Sequence, residues 1–157
     1  MIELTIALAI LNIGLLALLT AFTNGTVTAR RSGRTASASV LADTQMELYR
    51  ALTYSAIALD ASSIPGSAPY TTDAAYSATQ VTATCSGPVS SNPQCNASRT
   101  VTGPDHGTYE IDTFVVYWTP TDGRQTKQVT VVVRDTANLS GRELARRTSI
   151  FDALTGT

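Results

Sequence analysis

Histidine and cysteine are nearly missing from this 157-residue chain, which holds one His and two Cys. That leaves almost no material for a catalytic metal or an imidazole-centred active site. Charge is scarce as well: charged residues make up 15% of the chain, and 11 basic against 12 acidic side chains leave a formal −1. A balance so near neutral gives no field to steer nucleic acid, so none is expected as a partner. No Gly-rich phosphate loop, no GxSxG elbow, no metal-ligand spacing and no internal repeat occurs. The chain reads as a non-enzyme, with no catalytic, cofactor-binding or metal residue and no cofactor. Ser and Thr are abundant instead, and a hydroxyl-rich surface poor in charge suits an extracellular setting.

The charges that exist are unevenly placed. After Glu3 the next one is Arg30, and the sequence from Leu4 to Phe22 is almost unbroken in its apolar character. About 20 residues at 1.5 Å rise make a helix of roughly 30 Å, the thickness of a bilayer's hydrocarbon core. Apolar on every face, such a helix ends up inside lipid or inside other protein. Arg30, Arg31 and Arg34 mark the return to water, at a lipid headgroup layer or opposite acids on neighbouring subunits. A secretory signal opens with basic residues and closes on a small-residue cleavage site. Here an acid precedes the apolar run instead. Glu3 suits a helix's first turn, where the macrodipole favours an acid by a few tenths of a kcal/mol, about 0.3–1.

The segment MIELTIALAILNIGLLALL resembles the N-terminal helix of type IV pilins and pseudopilins. In that family a prepilin peptidase removes a short basic leader, leaving an apolar helix with one Glu near its start. The resemblance covers about 25 residues and rests on the first-turn Glu together with the uninterrupted apolar run. It implies a pilin-like α+β fold, a long N-terminal helix packed on a small antiparallel β-sheet. It also implies identical subunits as partners in a helical homopolymer, the cytoplasmic membrane before assembly, and prepilin peptidase with a pilus assembly machinery. The subunit would pass from a bacterial inner membrane to a cell-surface filament. Glu3 would pair with the terminal amine of an adjacent subunit and set register, with Met1 and Gly14 as further assembly positions. The sequence departs from the family in lacking the opening Phe and in carrying its Glu two residues nearer the start. Either two residues precede Met1 in the mature protein or processing differs. The family's frequent Pro after the apolar run is also absent, so Gly14 and the stretch around Asn24 and Gly25 are where the helix is intrinsically weak.

From about Thr28 the pattern turns amphipathic. Leu41, Leu48, Leu52 and Leu59 share one helical stripe, and Asp43, Glu47 and Arg50 face away. One helix from near residue 2 to near residue 59 is expected, loosened around Thr23–Thr28, and roughly 85 Å long at 1.5 Å per residue. The domains are then an apolar helix over 1–27, its amphipathic continuation over 28–59 and a globular β domain over 60–157. Between Ser62 and Asn96 Pro, Gly and Ser punctuate a surface connection with one short strand candidate, Gln80–Cys85. Cys85 and Cys95 enclose a turn-rich loop, and in an exported protein a disulfide is the expected staple there. A redox pair would call for the closer CxxC arrangement.

Strands are expected at Thr108–Thr119, Gln125–Asp135 and Leu144–Phe151, with Pro120-Thr121-Asp122-Gly123 as a turn. Val129, Val131 and Val133 face one way, and Gln128, Thr130 and Arg134 the other. The leucine stripe of the helix would cover the apolar face. His106, beside Asp105 in a Gly103–Gly107 loop, reads as a solvated histidine. Glu110 and Asp112 read as the solvated face of a strand, and Arg146-Arg147 as a salt-bridged strand edge. Asn96 and Asn138 fit a weak N-glycosylation pattern. The expected function is a structural subunit of a pilus-like filament. Two alternatives stand beside it: a minor pilin or type II secretion pseudopilin, and an extracellular binding module anchored by one helix.

Overall fold

The computed structural model describes residues 2–121, 123–139 and 141–154. It divides into two units, residues 1–34 and residues 35–157. One helix, α1 (Ile2–Arg50), opens the chain. Four strands follow, β1 (Ser98–Thr102), β2 (Thr108–Trp118), β3 (Thr126–Asp135) and β4 (Ala145–Phe151), in the antiparallel order β1-β2-β3-β4. The layout is α+β, and β2, β3 and β4 fall within a residue or so of the expected strands.

The last turns of α1 bury Ser37, Ala38, Ala42, Gln45, Met46 and Tyr49. This stripe lies beside the leucines expected to carry the contact: Leu41 is half-buried at its rim. Ala38 and Ala42 leave room for close approach, and Tyr49 is fully buried at the end of the stripe. Helix and sheet are also joined by polar groups. Gln45 Nε2 donates to Pro93 O at 2.9 Å, and Arg99 Nη2 on β1 donates to Gln45 Oε1 at 2.8 Å. Tyr49 Oη donates to Gln94 O at 2.7 Å.

Two features differ from expectation. The helix ends at Arg50 rather than near residue 59. Past that end the buried Lys127 on β3 draws on carbonyls that a longer helix would use: its Nζ donates to Tyr54 O at 2.8 Å and to Ile57 O at 2.7 Å. Leu59, expected on the helical stripe, is fully buried as part of an isolated parallel bridge to Thr82. Through Asn24 and Gly25, where the helix is intrinsically weak, α1 is α-helical in the single chain. Thr20, Thr23, Thr26 and Thr28 turn their hydroxyls back onto carbonyls about one turn earlier, at 2.9 Å each, sharing those acceptors with the helix ladder.

Strand β1 was not foreseen, and Gln80–Cys85 forms bridges rather than a strand. Beyond Asp112 strand β2 has outrun β1, and its free edge is patched piecemeal. Thr113 N donates to Ala97 O at 2.7 Å, Val81 N to Val115 O at 2.7 Å, and Val115 N to Gln80 Oε1 at 2.9 Å.

Both faces of the sheet are covered. Ile111, Val133 and Ala145 line up on the face toward α1, as do Thr113 and Val131. The opposite face carries Phe114, Thr130, Asp112 and Val132 and is roofed by the connection around Tyr70. Tyr70 stacks on Phe114 at 4.4 Å between ring centroids, and its Oη donates to Thr113 O at 2.8 Å. This explains why β3 is buried along nearly its whole length instead of on alternate residues.

Replacing Gln45 by Leu removes two polar partners at a fully buried position, leaving Pro93 O and the Arg99 guanidinium short of a hydrogen bond. Unfolding of the full chain in detergent, followed by circular dichroism in denaturant, is expected to show a loss of about 1–3 kcal/mol. An unchanged midpoint would rule out this polar joint.

Candidate assembly helix and the charged sheet face

Every described residue from Ile2 to Ala36 is exposed. The large side chains among them include Leu11 at 68% and Phe22 at 75% exposure. By length and composition α1 is able to cross a membrane. Glu3 occupies the first turn, next to helix N–H groups that have no carbonyl partner, which favours a carboxylate there. Around Gly14 and Gly25 a Cβ would meet nothing within 4 Å. These glycines are not demanded by packing within the chain. Met1 lies outside the described residues.

In the second unit Cys85 and Cys95 form the expected disulfide, with Cα atoms 6.3 Å apart. It fastens more than its own loop. Asp60 N donates to Cys95 O at 2.9 Å, and Cys85 N to Asp60 Oδ2 at 3.2 Å. Asn96 is half-buried, its Oδ1 accepting from Ser98 N at 3.2 Å where β1 begins. Asn138 is exposed at a 3₁₀ turn, and Ser140 of its acceptor pattern lies outside the described residues, as does Asp122 of the expected Pro120–Gly123 turn. His106 sits in the β1–β2 turn with φ of 59°, and the Asp105 carboxylate there accepts from Tyr109 Oη at 2.6 Å.

The reading of Glu110 and Asp112 as a solvated face is overturned. Asp112 is fully buried and Glu110 half-buried. Arg134 Nη1 donates to Asp112 Oδ2 at 2.5 Å, and Arg134 Nη2 donates to Asp73, which descends from the roofing connection. Arg146 Nη2 donates to the same Asp73 carboxylate at 2.9 Å, and Arg146 Nε to Glu143 Oε2 at 2.9 Å. The edge pairing expected for Arg146-Arg147 is present: Arg147 Nε donates to Asp43 Oδ1 at 2.6 Å. Sequence reasoning missed Asp73 altogether. Its one signal was an acid in an uncharged, turn-rich stretch, Ala68–Gln80.

The electrostatics follow from the geometry. Burial by itself would raise the Asp73 carboxyl, but the Ala75 N–H, Arg146 and Arg134 outweigh it and hold it below the usual range. Burial pushes the Asp112 carboxyl up, with Ser98 and Arg134 opposing and the Asp73 charge adding to the rise. Beside this cluster lies an open cleft of about 880 Å³, its floor at Asp73 and Arg134 and its rim at Arg142 and Glu143. Among the described residues no group of His, Cys, Asp and Glu could hold a metal ion.

Comparison with protein families, with curated proteins and with solved structures returns no match for this chain.

Removing Arg134 strands the fully buried Asp112. Arg134→Met is expected to cost about 3–5 kcal/mol, and Arg134→Met with Asp112→Leu to recover most of it, as replacement of a buried ion pair by apolar groups commonly does. A double variant no more stable than the single one would contradict this. A second expectation concerns pH. A carboxyl whose folded pKa lies below its unfolded 3.8 stabilises the fold above that value and loses the contribution as pH falls through the folded pKa. Asp112, with its raised pKa, runs the other way, so it does not produce an acid limb. Stability of the full chain is expected to fall below pH 3.8, and Asp73→Asn to flatten that fall. An equal acid slope in both proteins would exclude Asp73 as its source.

Proposed function

We propose that this chain is a structural subunit of a type IV pilus-like helical filament, polymerising through its N-terminal helix. The observation that carries the reading is the exposure of every described side chain from Ile2 to Ala36 on a helix apolar all round over Leu4–Phe22. Such a surface is stable only under lipid or under copies of itself. In the membrane the subunit is held by that helix. On assembly the helices leave lipid and pack together. The exchange costs little, because one apolar environment replaces another, and Ala7, Ala9, Gly14 and Ala17 permit close helix contact. The glycine at position 14 has the open surroundings such a contact needs.

Glu3 supplies the specificity. A buried unpaired carboxylate is costly, so the tolerated register is one that brings a cation, the terminal amine of an adjacent subunit, to Glu3. Residues 60–157 form the outer surface, stapled by Cys85–Cys95, and identical subunits, the cytoplasmic membrane, prepilin peptidase and an assembly machinery are the partners. A minor pilin or secretion pseudopilin uses the same chemistry in fewer copies.

A reading from another class is a binding module held at the surface by one helix, which the cleft at Asp73 and Arg134 favours. The two part in electron microscopy of material sheared from producing cells, with the chain identified by mass spectrometry. Filaments built of this chain support the polymer, and a chain found only as a single membrane subunit supports the module. Glu3→Ala and Glu3→Gln are expected to abolish or sharply reduce filament yield while leaving membrane insertion intact. Normal yield from Glu3→Ala cells would remove the register role.

A further inference from the structure

The polar side chains of the apolar helix fall into two kinds. The hydroxyls hide their donors: Thr5 Oγ1 donates to Ile2 O at 2.7 Å and Thr20 Oγ1 to Leu16 O at 2.9 Å. Asn12 cannot do the same. Its Nδ2 donates once, to Leu8 O at 3.0 Å, and an amide has a second N–H and a carbonyl oxygen besides. Neither meets a partner among the described residues, and the residue is exposed.

Position makes this consequential. Asn12 lies eight residues after Leu4 and ten before Phe22. At 1.5 Å per residue that is about 12 Å and 15 Å from the ends of the apolar run, close to the midplane of a hydrocarbon core about 30 Å thick. Asn24, the other amide of the segment, lies beyond Phe22 toward the arginines, where water and headgroups serve it. At the midplane nothing serves Asn12 except protein.

We infer that subunits stored in the membrane pair as parallel dimers through an Asn12–Asn12 amide contact. The occupant is a second copy because identical chains insert with one orientation, carrying their Glu3 ends to one side and their arginines to the other, so their midplane groups meet at equal depth. An amide is also complementary to itself, since the oxygen of one accepts the N–H of the other. The residues along the same seam suit the contact. Ile2, Thr5, Ala9, Asn12, Leu16 and Leu19 alternate in steps of three and four, the spacing of a left-handed helix pair, with small side chains just before the amide. A single buried Asn in such a seam fixes which residues stand opposite one another.

The inference rests on the membrane-stored subunit of the proposed function, but not on polymerisation. The test is sedimentation equilibrium of the full chain in density-matched detergent micelles, comparing wild type with Asn12→Leu and Asn12→Gln. Wild type is expected to dimerise, Asn12→Leu to associate about 3- to 30-fold more weakly, and Asn12→Gln to retain most of the affinity. Rescue by Gln separates amide pairing from a mere packing effect of Leu. A monomeric wild type, or Asn12→Leu pairing as tightly as wild type, would overturn the inference. Asn12-dependent pairing of a subunit from cells that form no filaments would uphold it while removing the polymer.

Discussion

The guanidinium of Arg134 is the tie on which the globular unit depends. A four-stranded antiparallel sheet ordinarily leaves one face to water, and here neither face is left so. The helix roofs one side with apolar contacts, as an amphipathic element does. The other roof is an irregular segment with few large side chains, and its fit to the sheet rests on Tyr70 against Phe114 and on Asp73 reaching down to Arg134. Arg134 is in turn held by Asp112 from the neighbouring strand. A loop without regular secondary structure is thus attached by charge where apolar area is in short supply. Among the described residues Arg134 is the buried cation that both carboxylates share, and Arg146 binds Asp73 from the rim.

The same helix serves in two environments. Up to Ala36 all its described side chains are exposed, and from Ser37 its buried stripe begins. Nothing in backbone geometry marks the change, since the α-helix is continuous across it. Composition alone changes: the apolar run ends at Phe22, a polar stretch with Arg30, Arg31 and Arg34 follows, and from Ser37 alanine, glutamine and tyrosine occupy one buried stripe. The first part is left uncovered by the chain itself, and the second is buried within the globular unit.

Much of this was legible beforehand, for reasons that can be named. The apolar run and its flanking arginines are a one-dimensional signal, as are the alternating residues of β2 and β3 and the paired cysteines. The helix end was misjudged because Leu52 and Leu59 keep helical spacing, while Lys127, which holds the carbonyls of the segment beyond the end, is about 70 residues away. β1 escaped because Ser98-Arg99-Thr100-Val101-Thr102 has little apolar alternation and owes its conformation to the register with β2. Asp112 was misread because alternation reports one buried face, and the roof that buries the other has no periodicity of its own. Gln45 and Asp73 act through partners 48 and 61 residues distant, a relation that local patterns do not carry.

The disulfide loop has a role beyond its own closure. Its last residues present the carbonyls of Pro93 and Gln94 to Gln45 and Tyr49 of the helix, and Cys95 O to the turn at Asp60. The ten-residue disulfide loop thus gathers three acceptors at one place, two facing the last turns of the helix and one facing the turn that follows it, so a single covalent staple serves two separate segments of the chain.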